Sequence, residues 1–304
     1  MAVSGPQHRD ELTALACRAM RAHGLFAEFS KVVLREVDDI PHAAAARERG
    51  VRDLRDLLWI SIDNDDSRDL DQLTVAEELP AGQVKILVAI ADVDALVDKS
   101  SAIDQYAQHN TTSVYTAAAV FPMLPERLST DLTSLAQDAD RLAIVIEMLV
   151  GAQGTLLGSE VYRAWVRNRA KLAYNSVAAW LDGAAAPPEP VRALAGVAEQ
   201  LRTQDRVAQA MRTQRHQHGA LGLETLEPRV VFAGDELAGL RIETKNRAKE
   251  LIEDFMIAAN VAAAKALEAK TAPVMYRIHE PPSREKLIAL RDYLATMGKK
   301  LAFG

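Results

Sequence analysis

An α+β fold is predicted by three features of the sequence. Residues 57–63 (LLWISID) and 84–93 (VKILVAIADV) are continuous apolar runs, β-branched in part, and aspartate stands at or next to the end of each. Runs of this kind read as strands buried on both faces. Residues 140–150 (DRLAIVIEMLV), a glycine-bearing turn and residues 156–166 (LLGSEVYRAWV) read as an antiparallel hairpin. Residues 191–217 and 246–270 are helical by composition, and in the second Leu251, Ile252, Phe255, Met256, Ala259 and Ala263 form one apolar face.

The remaining elements follow in order. Residues 8–23 carry Leu12, Leu15, Ala16 and Met20 at helical spacing, with Gly24 as the stop. A second helix is expected over 26–37, and residues 38–50 close a small helical segment. Residues 1–49 are too few for an independent β-barrel and suit a helix-turn-helix-like accessory. Residues 184–190 (AAAPPEP) form a surface loop. A last helix is expected after the Pro-Pro-Ser of 281–283 and runs to Met297, with Gly298 ending it. One mixed domain thus spans about residue 50 onward.

The 304 residues are 49% hydrophobic and 26% charged, ordinary for a globular chain with a sizeable core. No apolar stretch reaches the roughly 18–20 residues of a membrane span, and no charged-then-apolar leader opens the chain. The single cysteine, Cys17, excludes an internal disulfide framework and a thiolate metal cluster, and points to a reducing cytoplasm. A net charge of −6 argues against wrapping nucleic acid over the whole surface but leaves room for a local basic channel. Basic runs occur at 163–171 (Arg163, Arg167, Arg169, Lys171) and 202–218 (Arg202, Arg206, Arg212, Arg215, His216, His218). Each taken alone reads first as a solvated face.

Five aspartates fill nine positions from Asp63 to Asp71, directly behind the first buried strand. Asp69 and Asp71 alternate around Leu70 and point the same way in an extended segment. Carboxylates crowded together raise one another's pKa unless a cation stands between them. Hard oxygen donors without cysteine or histidine favour Mg²⁺ or Mn²⁺, and such ions suit phosphodiester chemistry. Spacing alone leaves a solvated turn cluster as an equal reading. An EF-hand loop beginning at Asp63 fails, because its sixth and twelfth positions are Arg68 and Thr74. A phosphoaspartate motif fits residues 63–67 loosely, with Ser67 last.

Beyond the cluster, an ordered set of segments resembles the catalytic domain of the ribonuclease II / ribonuclease R family. These are SIDNDDSRDLDQL (61–73), VKILVAIADVDALV (84–97), NTTSVYTAAAVFPMLPERLSTDLTSL (110–135), KLAYNSVAAWL (171–181), HGALGLETLEPRVVF (218–232), KELIEDFMIAANVAAAKAL (249–267) and MYRIHEPPSREKLIAL (275–290). The similarity covers roughly residues 50–304. It implies a mixed β-sheet packed with helices. It further implies a Mg²⁺-dependent 3′→5′ exoribonuclease that takes single-stranded RNA into a channel and releases nucleoside 5′-monophosphates.

The same resemblance assigns roles. The family's four acidic positions fall on Asp63, Asp69, Asp71 and Gln72, the last without charge. Asp71 inherits the position most closely tied to cleavage; Asp63 and Asp69 inherit metal binding and water positioning, with Asp65 or Asp66 as helpers. Tyr115 matches an aromatic against the 3′-terminal nucleotide, Tyr174 a channel tyrosine, and Glu253 an acid at the end nucleotide. Asp92, Asp94 and His109 are weaker candidates with structural readings of equal weight; for Arg277 and His279 a structural hydrogen-bonding role is the first reading. The family's catalytic domain continues through a Ser-Pro-Ile-Arg-Arg-Tyr segment that supplies arginines for the phosphates. No such stretch occurs before Gly304, so impaired hydrolysis is expected. The alternatives are a non-catalytic RNA-binding relative and a phosphoaspartyl phosphatase.

Overall fold

The computed structural model describes residues 9–44, 50–222, 227–234, 236–243, 245–276 and 280–302. Its centre is a seven-stranded mixed sheet in the order β1-β8-β7-β4-β3-β2-β9. The strands are β1 (Arg52–Asp53), β2 (Ile60–Asp63), β3 (Gln72–Glu78), β4 (Val84–Ala91), β7 (Asp140–Val150), β8 (Leu156–Arg167) and β9 (Ala170–Ala173). From β8 to β2 every neighbour is antiparallel, whereas β1 joins β8, and β9 joins β2, in parallel. The short pairs β5 (Val114–Tyr115) with β6 (Val120–Phe121), and β10 (Glu227–Ala233) with β11 (Glu236–Glu243), are separate.

The apolar runs are continuous because the central strands are buried on both faces. Val84, Ile86 and Val88 of β4 and Ile146, Met148 and Val150 of β7 enter one core. Leu87 and Ala89 with Ala143 and Val145 enter the other. The first core is completed by α4 (Tyr174–Leu181), α5 (Glu189–Ala193), α6 (Val197–Gln217) and α7 (Arg247–Ala269), through Val177, Val191, Leu201, Met211, Leu251 and Phe255.

A third, smaller core joins the N-terminal helices to the rest. Val33 and Val37 of α2 (Lys31–Asp38) meet Ile103 and Tyr106 of α3 (Ala102–Asn110) and Leu128 and Leu132 of a π-helical turn. Before α2 comes α1 (Arg9–Ala22), ended at Gly24 with φ +75° as expected. The chain forms two compact units, Met1–Ala266 and Leu267–Gly304; the second contains α8 (Arg284–Thr296), capped by Ser283. No helix among the described residues is long and apolar enough to cross a membrane.

Three expectations need correction. The second helix begins at Lys31, not at residue 26, because the Ser30 hydroxyl accepts from Val33 N and caps it. Phe26 and Phe29 pack instead on the Tyr106 ring. Residues 40–44 are not helical, and 45–49 lie outside the described residues. The 191–217 helix is two, broken at Gly196 with φ +86°, and α5 already begins at Glu189, inside the expected loop.

Candidate active site

Strand register brings the acids together. β2 and β9 run parallel, with Asp63 opposite Ala173, so both strands release their next residues at the same end of the sheet. Asp63 closes β2 there, and Tyr174 opens α4 beside it. β3 runs back antiparallel to β2, so Gln72, its first residue, and Asp71 just before it start from that same end. A crevice outside the carboxyl ends of strands is a common place for a site.

The connecting loop is built by local hydrogen bonds. The Ser67 amide donates to Asn64 O at 3.2 Å, closing a turn. Asp63 Oδ1 accepts twice, from Asn64 N at 2.6 Å and from Ser67 Oγ at 2.9 Å. The Lys171 ammonium donates to Ser67 O at 2.6 Å and to Asp65 O at 3.5 Å. At the far end of the loop, Leu70 N donates to Ser134 Oγ, whose own hydroxyl donates to Arg68 O.

The charges of these acids bear on one another and on two nearby tyrosines. Burial by surrounding protein, then the charges of Asp63 and Asp69, push the Asp71 carboxyl above its ordinary range, although the side chain is open to water. Desolvation and then Asp69, Asp71 and Asp63 raise the Tyr115 hydroxyl; desolvation and then Asp63 and Asp71 raise that of Tyr174. No three His, Cys, Asp or Glu side chains among the described residues close into a metal cage. The donor chemistry nevertheless fits a hard cation: carboxylate oxygens on half-buried Asp63 and exposed Asp69 and Asp71.

Gln72 differs from its acidic neighbours. Alternate strand residues share a face, so Gln72 lies on the side of Thr74, whose hydroxyl donates to Gln204 of α6. It is 5% exposed, and its Nε2 donates to Ile62 O at 3.0 Å. Its Oε1 is buried without a partner. Such a group calls for an unseen water or ion.

The other expected residues take different places. Tyr115 is 70% exposed at the start of the β5–β6 pair. Glu253 lies on α7, paired with Lys245 at 2.5 Å; one turn earlier the Lys249 ammonium stands 5.9 Å from the Tyr174 ring centre. Asp65 and Asp66 face solvent. Asp92 and Asp94 are both bound by Arg163 at 2.8 Å, which makes them structural acids. His109 stacks on Phe26 and reaches Gly24 O. Arg277 and His279 lie outside the described residues.

The basic runs are largely committed elsewhere. Arg167 binds Asp140, Arg206 binds Glu78, Arg202 lies over Trp180, and Arg212 and Arg215 share the buried Asp254. Sequence reasoning missed Ser67 and the use of Lys171, whose partners are mostly main-chain oxygens. No spacing rule would have exposed them.

Together these features define a class: a mixed-sheet protein with an acid-lined, aromatic-flanked opening at one end of its strands. The family profile described as the RNB domain matches residues 51–303. The chain belongs to the RNB-domain family. Ribonuclease R of Vibrio cholerae serotype O1 is 35% identical over 291 residues, covering 94% of this chain and 35% of that protein. The structure of Mycoplasma genitalium RNase R in complex with ribose methylated single-stranded RNA superposes with a TM-score of 0.87 at 26% identity. It covers 97% of this chain and 46% of that one. The same protein in complex with double-stranded RNA gives the same score and identity, covering 52% of its chain. The sequence in hand thus spans about a third of the V. cholerae relative.

Proposed function

We propose that this chain carries the catalytic centre of a 3′→5′ exoribonuclease, hydrolysing single-stranded RNA to nucleoside 5′-monophosphates in the cytoplasm with Mg²⁺. The observation that carries the reading is the strand register that brings Asp63, Asp71 and Tyr174 to one end of the sheet, where the charges of Asp63, Asp69 and Asp71 bear on one another and on the Tyr115 and Tyr174 hydroxyls. Membership of the RNB family and the RNA-bound neighbours support RNA as the partner.

In this reading Asp63, Asp69 and Asp71 hold the ion, and the unpartnered Gln72 Oε1 adds a neutral oxygen. When bound, Mg²⁺ offsets charge gathering on the phosphoryl oxygens. Asp71 takes the proton of the attacking water. Tyr115 stacks on the terminal base, a contact indifferent to base identity. The Tyr174 hydroxyl donates to the phosphate. Glu253, with Lys245, binds the terminal ribose. An uncharged Gln72 makes a slower centre than four carboxylates would.

The test is single-stranded RNA labelled at its 5′ end, incubated with Mg²⁺. Stepwise shortening from the 3′ end with release of 5′-monophosphates is expected, faster in Gln72→Asp. Internal cuts, or no monophosphate from either chain, would overturn the reading. Gln72 also favours a second reading, RNA binding without hydrolysis. There Asp71→Asn and Gln72→Asp would leave RNA affinity unchanged and generate no products.

A further inference from the structure

The basic run at 163–171 contains one cation that is not tied to a carboxylate but reaches into the acidic loop. Ala170 and Leu172 of β9 enter the core beneath the sheet, so Lys171 takes the opposite side, in register with Ser61 of β2. From there its ammonium grips the loop through two main-chain carbonyls, those of Ser67 and Asp65. The residue whose carbonyl it holds most tightly also donates its own hydroxyl to Asp63 Oδ1. The chain of contact therefore runs from Lys171 Nζ to Ser67 O, through Ser67 itself, and from Ser67 Oγ to Asp63.

We propose that Lys171 is a positioning residue of the acidic centre, acting through Ser67 to fix the Asp63 carboxylate. This rests on the metal-dependent reading above. Two donors, Ser67 Oγ and Asn64 N, occupy Oδ1 and leave Oδ2 as the oxygen for a cation. The ammonium also places one positive charge beside a loop of five aspartates, easing their repulsion without entering an ion pair that would compete for a carboxylate. An uncharged side chain of the same length cannot hold either carbonyl. Arginine keeps both the charge and the donors. Groups behind metal ligands typically govern affinity by about 10–100-fold.

The experiment compares the 304-residue chain with Lys171→Met, Lys171→Arg and Ser67→Ala. Two measurements are made: Mn²⁺ affinity by paramagnetic resonance, and amide hydrogen exchange over residues 63–71 without metal. Lys171→Met is expected to weaken Mn²⁺ binding about 10–100-fold and to speed exchange in the loop. Lys171→Arg should restore both. Ser67→Ala should weaken Mn²⁺ binding with exchange near wild type, and it answers the question if Lys171→Met does not fold. RNA affinity measured in chelator should be the same in all four. Mn²⁺ affinity unchanged in both Lys171→Met and Ser67→Ala would overturn the proposal. If the wild-type chain takes up no Mn²⁺, the metal reading falls, and unchanged loop exchange in Lys171→Met would overturn the positioning role as well.

Discussion

Gly154, in the turn from β7 to β8, lies so close to the backbone of Met211 in α6 that a Cβ on it would stand 2.5 Å from Met211 N. Its φ of +81° is also a conformation that side chains disfavour. The hairpin closes on the long helix only because this residue is glycine. Gly154→Ala is expected to cost about 2–4 kcal/mol, from left-handed strain and overpacking together. The check is a lower urea midpoint at unchanged m.

Asp71→Asn should reduce RNA hydrolysis by about 10²–10⁴-fold, the usual loss with an acid–base group. The same change alters stability in a pH-dependent way. The folded pKa of Asp71 is raised, so its protonated form favours the folded state at low pH. That advantage is lost as pH rises through the unfolded and then the folded pKa. Above the latter the ionised group burdens the fold. Asp71→Asn should therefore raise Tm at pH 7 and leave it nearly unchanged at pH 3, by calorimetry without divalent metal.

Tyr115 is well exposed, and its loss should barely touch folding, within about 0.5 kcal/mol. A stacking role predicts weaker RNA binding by about 1–3 kcal/mol in Tyr115→Ala, and little loss in Tyr115→Trp. Fluorescence anisotropy with oligonucleotides of different 3′-terminal base would show the loss to be independent of base.

The Asp254 side chain is 1% exposed and receives both Arg212 and Arg215. Asp254→Ala takes the carboxylate from Arg215 and leaves Arg212 with Glu250 alone, and should cost about 3–5 kcal/mol. Glu250, which also meets Arg212 but is 35% exposed, offers the contrast. Glu250→Gln should cost under about 1 kcal/mol in the same denaturation series.

How much was legible varies with what each residue touches. β2, β4 and β7 announced themselves because burial on both faces leaves an unbroken apolar run. β3 did not: Thr74 and Ala76 stand where alternation alone decides, and their polar needs are met by Gln204 and Gln200 of α6, far away in sequence. The break between α5 and α6 turns on the backbone angle of Gly196, invisible to composition. The aspartate spacing was plain, as was the odd Gln72. Its burial depended on strand register. Asp92 and Asp94 resolved into partners of Arg163, and the arginines of α6 into ties across to α7, since charge runs do not declare whom they pair with.

β1 is only two residues long and covers β8 at Ala164 and Trp165. The stretch of β8 from Leu156 to Tyr162 has no strand on its outer flank among the described residues. Bare borders of this kind are templates on which a second molecule can lay its own chain and begin a fibril. Here Gly158 and the Glu160–Arg52 pair occupy that border, with Arg52 folded 3.6 Å over the Tyr162 ring. Charge and bulk at Arg52, Glu160 and Tyr162 deny a neighbour a flat landing along this rim.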